Sequence, residues 1–138
     1  VDIIPASIVL AQAANESGWG SSRFAREYNA LFGQYTYDEN NGIIPFEREE
    51  GKKHLIRNFN SIDKSVEAYF ININSHYSYN EFRKSRQKNK NNSSLIQSLI
   101  INLEVYAADE NYVNIINSII QTNNLTLFDD KKFSFINS

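Results

Sequence analysis

The 138-residue chain has no cysteine and only two histidines, His54 and His76. The absence of cysteine excludes disulfide bonds and thiolate metal sites, and it leaves the redox compartment undecided. Two imidazoles so far apart in the sequence are more typical of structural or substrate-facing side chains than of metal ligands. We therefore expect no metal site.

The chain also lacks an excess of charge of one sign and a long apolar run. Its net charge of -2 gives no electrostatic reason to bind nucleic acid or an anionic membrane surface. No apolar segment is long enough to span a bilayer, and the charged, apolar and cleavage regions of a secretion signal are not recognisable. Because Val1 already falls within a helical pattern, we expect a domain excised from a longer protein, with its targeting signal outside this sequence.

Hydrophobic residues make up 41% of the chain and aromatic residues 13%. This composition argues against disorder, and the length is sufficient for one domain with a real core. No internal repeat is visible. We expect a single domain over residues 1–138.

A short apolar helix is predicted near the start of the chain. Pro5 suits the first turn of a helix, where its missing N–H has no intrahelical partner to lose. Residues at helical spacing continue the pattern toward Glu16. They are Ile4, Ile8, Ala11 and Ala14 or Asn15.

Glu16 lies where this helix is predicted to end, beside the only tryptophan, Trp19. Gly18 and Gly20 flank Trp19 and permit backbone angles that other residues resist. Partial burial of a carboxyl group raises its pKa, as a general acid working near neutral pH needs. The alternative interpretation is a solvated helix-end Glu16 with Trp19 in the core.

An aromatic-rich stretch, Leu31 to Tyr37, follows a predicted second helix that Ser21 or Ser22 begins and Asn29 ends. Its break at Gly33 favours a loop or a short extended segment. Tyr35 and Tyr37 fit either a wall that stacks against sugar rings or ordinary core packing, whereas core packing is favoured for Leu31 and Phe32.

The segment from Asp38 to Phe59 predicts a small β-hairpin. Asn40 to Gly42 signals a turn, and Ile43 to Phe46 and Lys53 to Phe59 are the two predicted arms. Mixed charge at the tip favours a solvated surface, but hydrolysis of a glycosidic bond commonly uses two carboxyl groups, and the tip carries three. They are Glu47, Glu49 and Glu50.

The second half of the chain is predicted to be helical, so the fold class is mainly α with a small hairpin lobe. Ser61, Ser93 or Ser94, and Asp109 are candidate helix caps. The polar stretch from Lys84 to Asn92 is predicted to be a solvated linker into which the preceding helix frays. The overlapping basic run Arg83 to Lys90 fits a solvated helix and loop, which we favour, or a contact for an anionic polymer such as teichoic acid. The predicted helices run from Ile62 to Ile73, from Tyr79 to Arg83, from Leu95 to Leu103, and from Asp109 to Asn123. The tail from Leu127 has no assigned role.

The run AQAANESGWG at Ala11 to Gly20 resembles the signature of the bacterial glucosaminidases. These proteins form glycoside hydrolase family 73, which includes the flagellar muramidase domain and autolysins. Within that family the chain looks most like the Bax-type proteins. The resemblance extends over roughly Ile4 to Leu125, and further matching segments occur in the family's order: Ser22 to Phe24, Asn29 to Tyr35, Gly42 to Pro45, Arg57 to Ser61, Ala68-Tyr69, Asn74 to His76, Tyr106-Ala107 and Asn111 to Val113.

The resemblance implies a lysozyme-like fold with a cleft between the helices and the hairpin, and hydrolysis of peptidoglycan after N-acetylglucosamine. It implies that Glu16 is the general acid. Aligned through Gly51 and the Arg57 to Ser61 run, Glu47 matches the family's second acid. Phe46 and Arg48 depart from the usual Thr-x-Glu-Tyr pattern there. Glu49, Glu50 or the substrate's own N-acetyl group are therefore alternatives to Glu47.

The resemblance also implies that Tyr106 lines the cleft, while Tyr112 is more typical of a core residue. Trp19, Tyr35 and Tyr37 are the other predicted substrate contacts. Side chains can supply both proton transfer and charge stabilisation, so we expect no metal or organic cofactor.

The predicted partner is the glycan strand of peptidoglycan, bound by a monomer in the periplasm, outside the cell or at the cell wall. Two alternative functions are considered. One is a lytic transglycosylase, which uses one glutamate in a related fold and forms an anhydro product. The other is a non-catalytic wall-binding module.

Overall fold

A computed structural model describes residues 3–45 and 50–129. Within these residues, no helix has both the length and the apolar character needed to cross a membrane. The described helices are α1 (Ala6–Ser17), α2 (Arg23–Tyr28), α3 (Ile62–Ser75), α4 (Asn80–Lys88), α5 (Leu95–Ile101) and α6 (Tyr112–Thr122), and short 3-10 helices span Tyr77–Tyr79, Asn102–Val105 and Leu125–Asp129. The strands are β1 (Tyr35–Thr36), β2 (Gly42–Ile43) and β3 (Leu55–Arg57).

The chain divides into two compact units. One comprises Ala13–Tyr69 and contains the three strands; the other comprises Val1–Gln12 together with Phe70–Ser138 and is helical. Of the terminal tail, the structure describes a 3-10 helix at Leu125–Asp129, and residues 130–138 lie outside the described residues.

Helix α2 begins and ends as the sequence predicts. The Ser22 hydroxyl accepts a hydrogen bond from the Ala25 N–H at 3.1 Å, which satisfies one of the donors left open at a helix start. Asn29 closes the helix in the left-handed conformation at φ 56°, and its side-chain amide donates to the Phe59 carbonyl at 3.0 Å. This residue therefore both ends the helix and holds the segment that follows β3.

The small sheet has the order β1-β3-β2, with both pairings antiparallel. The predicted pairing of two arms is confirmed as β2 against β3, while β1 extends the hairpin to three strands. A two-residue strand is too short to show the alternation by which strands are recognised, so β1 could not be separated from a loop. Gly42 allows close approach in this sheet, because a Cβ there would lie 2.6 Å from Leu55 Cβ.

One hydrophobic cluster of the strand-containing unit consists of Ala30, Ile56 and Phe59. Phe32 is buried and stacks on Tyr69 with ring centroids 4.2 Å apart and planes at 18°. The predicted core position of Phe32 is confirmed, whereas Leu31 is half-buried.

Helical spacing in the sequence predicts one apolar stripe on α3, formed by Ile62, Val66, Tyr69, Phe70 and Ile73, and this prediction is only partly correct. Tyr69 and Ile73 are fully buried, but Ile62 is 50% exposed. Ser65 is buried instead, and its hydroxyl donates to the Ile62 carbonyl at 2.8 Å. A hydroxyl that has a backbone hydrogen-bond partner in its own helix can be buried at small cost. The buried face of α3 therefore includes a polar residue.

Helical spacing in the sequence predicts that α5 and α6 each bury one apolar face, and the helical unit confirms this. Leu99 and Ile100 of α5 are buried together with Leu103 of the 3-10 helix that follows. On α6, the buried residues are Tyr112, Ile116 and Ile120. The predicted caps differ in detail. Asn92, not a serine hydroxyl, accepts the Ser94 N–H at 3.0 Å, and Asp109 accepts the Asn111 N–H at 2.8 Å ahead of α6.

The prediction that Lys84 to Asn92 is a solvated linker is wrong over its first half. Helix α4 continues to Lys88, and Arg86 is buried to 9% exposure. The Arg86 guanidinium donates to the Ile3 carbonyl at 3.2 Å and lies 5.8 Å from the centre of the Phe82 ring. A long side chain that buries its stem and pairs its charged end with a carbonyl is a structural residue.

We expect Arg86→Ala to lower the free energy of unfolding by about 2 kcal/mol, because it removes both buried packing and a charge-assisted hydrogen bond. The matched control is Lys84→Ala, whose exposed ion pair with Glu81 should contribute no more than about 0.5 kcal/mol. Urea unfolding of the two variants measures the difference. Equal stability of the two variants would show that the stretch is a solvated face after all.

Candidate functional site

Glu16 lies in the last turn of α1, and its side chain is half-buried. After Ser17 the backbone adopts three successive left-handed residues: Gly18 at φ 57°, Trp19 at φ 58° and Gly20 at φ 80°. Glycine adopts these angles at little cost, which is why this sequence ends the helix here. The predicted helix end beside Glu16 is confirmed.

The buried hydroxyl of Ser17 closes this turn. It donates to the Ala13 carbonyl at 2.6 Å and accepts from the Gly20 N–H at 2.8 Å. The Trp19 N–H also returns to α1, where it donates to the Ala14 carbonyl at 2.8 Å. The residues that follow Glu16 are therefore held by hydrogen bonds to the same helix that carries Glu16.

Trp19 is 64% exposed, so the interpretation of Trp19 as a core residue is wrong. A bulky side chain with positive φ is a backbone outlier whose cost the surrounding hydrogen bonds must offset. Such outliers cluster at ligand-binding positions, and an exposed indole ring is well suited to contact a ligand. The arrangement is compatible with the predicted substrate contact at Trp19.

The carboxyl group of Glu16 lies directly against the backbone at Gly33. A Cβ at Gly33 would lie 2.9 Å from Glu16 Oε2 and 3.8 Å from Glu16 Cδ, and Gly33 has φ +63°. Glycine is thus required twice, by the backbone angle and by the close approach. Gly33 lies two residues before β1, and Glu16, Gly33 and β1 all belong to the strand-containing unit. The Glu16 carboxyl therefore lies beside the segment that leads into the sheet.

Tyr35 and Tyr37 carry exposed rings in the same unit, at 65% and 77% exposure. Core packing, the alternative interpretation for both, is wrong. Tyr35 lies beside the half-buried His54, with ring centroids 4.8 Å apart. Two exposed aromatic rings are available for stacking against a sugar face, as the sequence predicts.

The predicted second carboxylate is only partly covered by the structure. Glu47 and Glu49, as well as Phe46 and Arg48, lie outside the described residues, so both acids stay predictions. Glu50 is described and exposed, in a turn with Gly51, which has φ +86°.

Tyr106 belongs to the helical unit, between the 3-10 helix Asn102–Val105 and α6, and it is half-buried. Its ring stacks on Tyr112 with centroids 5.8 Å apart and planes at 11°. Tyr112 is 2% exposed, which confirms its predicted place in the core. The Tyr106 ring is therefore stacked against a buried ring, and its role as a substrate contact stays a prediction.

Sequence reasoning missed a buried polar contact beneath Tyr106. The Gln12 side-chain amide donates to the Tyr112 hydroxyl at 3.1 Å, and Gln12 is fully buried. The signal was present, because Gln12 follows Ile8 by four residues on the apolar face of α1. A buried amide must find hydrogen-bond partners, so the contact specifies how these two elements pack.

Both histidines have aromatic or backbone contacts. The ring of His54 lies beside that of Tyr35, and His76 Nδ1 accepts the Ser78 N–H at 3.1 Å. Across residues 3–45 and 50–129, no group of three or more histidine or acidic side chains is arranged to hold a metal ion.

The fold resembles solved structures of an autolysin catalytic domain and of an amidase. The catalytic domain of the autolysin Auto from Listeria monocytogenes superposes with a TM-score of 0.68 at 23% identity, covering 89% of this chain and 74% of that one. An N-acetylmuramoyl-L-alanine amidase from Staphylococcus aureus superposes with a TM-score of 0.69 at 31% identity, covering 93% of this chain and 38% of that one. The predicted mainly α, lysozyme-like fold with a small β lobe is confirmed.

Sequence comparison identifies the family directly. Protein bax of Escherichia coli (strain K12) is 45% identical over 86 residues, which are 62% of this chain but only 30% of that protein. The chain thus spans less than a third of the length of this curated relative. The glucosaminidase family model, described as mannosyl-glycoprotein endo-beta-N-acetylglucosaminidase, matches residues 2–125. With nearly its whole length matched, including the segment that carries Glu16, this chain belongs to the glucosaminidase family.

Proposed function

We propose that this domain is an endo-beta-N-acetylglucosaminidase that hydrolyses peptidoglycan after N-acetylglucosamine, with Glu16 as its general acid. The observation that carries the proposal is the position of Glu16. It is a half-buried carboxyl group that lies against Gly33 and beside the left-handed turn bearing the exposed Trp19. Family membership and the autolysin-like fold support the same chemistry.

In this mechanism the Glu16 carboxyl donates its proton to the glycosidic oxygen as the bond from that oxygen to the sugar C1 breaks. Positive charge develops on C1 and the ring oxygen. Water then adds to C1 and transfers a proton to a base, and the leaving sugar departs as an alcohol. Glu47 is our candidate for that base or for positioning the water, with Glu49, Glu50 or the substrate's N-acetyl group as alternatives.

The proposed substrate contacts are aromatic. Trp19, Tyr35 and Tyr37 present exposed rings in the unit that carries Glu16, and apolar sugar faces stack on such rings. Tyr106 is the fourth proposed contact, supported by its stacking on the buried Tyr112. We also propose that the domain acts as a monomer on glycan strands in the periplasm, outside the cell or at the cell wall.

We expect Glu16→Gln to lower turnover of purified peptidoglycan by about 10²- to 10⁴-fold while glycan binding persists, because the amide keeps the shape but cannot donate the proton. Release of reducing ends measures turnover, and pull-down with insoluble peptidoglycan measures binding. Glu67→Gln is the matched control, since that carboxylate is exposed on α3 and pairs there with Lys64.

The products of this assay also separate the alternative functions. Mass spectrometry of the released fragments should show hydrated ends with N-acetylglucosamine at the new reducing end. Fragments lighter by one water would identify a lytic transglycosylase. Wild-type protein that binds but cleaves none of several peptidoglycans would overturn the proposal in favour of a wall-binding module.

We expect Gly33→Ala to lower kcat/KM by about 10- to 100-fold, because the new Cβ would displace the Glu16 carboxyl from a position 2.9 Å away. The control is Gly51→Ala, where φ is +86° and no atom of the described residues lies within 4 Å of the added Cβ. Both variants should lose about 1 kcal/mol of stability from backbone strain. Equal kcat/KM in the two variants would contradict a positioning role for Gly33.

A further inference from the structure

A cavity of about 620 Å³ opens on the small sheet of the strand-containing unit. This volume is in the range of pockets that hold small ligands. We name it the lobe pocket, and its lining residues are Tyr37, Glu39, Gly42, Ile44, Lys53 and Leu55.

The walls of the lobe pocket are largely apolar. The Tyr37 ring and the Ile44 side chain remain 77% and 61% exposed, whereas Leu55 is buried. Gly42 lies so close to Leu55 that any side chain there would meet it at 2.6 Å. Exposed apolar side chains collected around one cavity are typical of a surface that a ligand covers.

The lobe pocket also carries one charge of each sign. Glu39 and Lys53 are both exposed, and neither has an ion-pair partner in the described part of the chain. A carboxylate and an ammonium that do not neutralise each other can each face an opposite charge on a ligand. The matching ligand has an apolar portion, a free carboxylate and a free amine, which is the chemistry of a short peptide. A neutral sugar would leave both charges without a counterpart.

We propose that the lobe pocket binds the peptide that branches from the peptidoglycan glycan strand, with Lys53 facing a peptide carboxylate and Glu39 facing a peptide ammonium. This inference rests on the proposed function, because that function makes a peptide-bearing glycan the substrate. The pocket would then favour strands that still carry their peptides over strands from which an amidase has removed them.

The kinetic test compares intact peptidoglycan with peptide-free glycan strands. Lys53→Gln and Glu39→Gln should each raise KM for the peptide-bearing substrate by up to about fivefold, the scale of one exposed charge pair, with kcat unchanged. KM for peptide-free strands should not change in Glu39→Gln, because removal of the peptide leaves a lactyl carboxylate on the sugar but no ammonium that Glu39 could face. Lys52→Gln is the matched control, because Lys52 is exposed next to Lys53 but does not line the pocket. An equal rise in KM on both substrates in Glu39→Gln would overturn the inference.

A binding test separates this inference from the proposed function. A synthetic pentapeptide of Ala, Glu, Lys, Ala and Ala, titrated into the wild-type protein, should shift the amide resonances of Gly42 and Leu55. The double variant Glu39→Gln, Lys53→Gln should lose these shifts. Absence of shifts in the wild type, or equal shifts with a peptide-free chitotetraose, would refute peptide binding. Failure of the wild type to cleave either glycan would instead refute the proposed hydrolase, whatever the titration shows.

Discussion

The contact between the Glu16 carboxyl group and the backbone at Gly33 is the constraint on which the candidate site depends. The carboxyl can occupy its position only because residue 33 has no side chain and adopts φ +63°. The contact joins the end of α1 to the entry of β1 within one compact unit. A functional carboxylate needs a position defined to a fraction of an ångström, and close packing against backbone defines position better than contact with a flexible side chain.

The turn after Glu16 shows how local strain is balanced at this site. Trp19 adopts a backbone angle that disfavours bulky residues, and its ring stays exposed. The Ser17 hydroxyl and the Trp19 N–H both bond back to α1 and hold the turn in place. The turn therefore keeps the indole ring exposed on a strained backbone, and backbone outliers of this kind cluster at ligand-binding positions.

Local patterns in the sequence were sufficient to predict most of the elements. The end of α1 near Glu16, the Ser22 and Asn29 caps of α2, and the burial of Phe32 and Tyr112 all follow from short-range chemistry. The burial of Arg86 could not be predicted, because its partners Ile3 and Phe82 include a residue 83 positions away. The charge of an arginine predicts an exposed side chain. Its guanidinium can be buried at low cost only when a hydrogen-bond acceptor, here a carbonyl distant in the sequence, is available.

Local features, namely helical periodicity, glycine turns and the AQAANESGWG motif, predicted the family, the order of the helices, the two-armed hairpin and the acid at the end of α1. The folded chain was needed to show that Trp19, Tyr35 and Tyr37 face solvent, that Gln12 contacts Tyr112, and that the Glu16 carboxyl lies against Gly33. These outcomes depend on which surfaces meet after the chain folds back on itself. An aromatic or glycine residue has the same local propensity whether it packs in a core or lines a site.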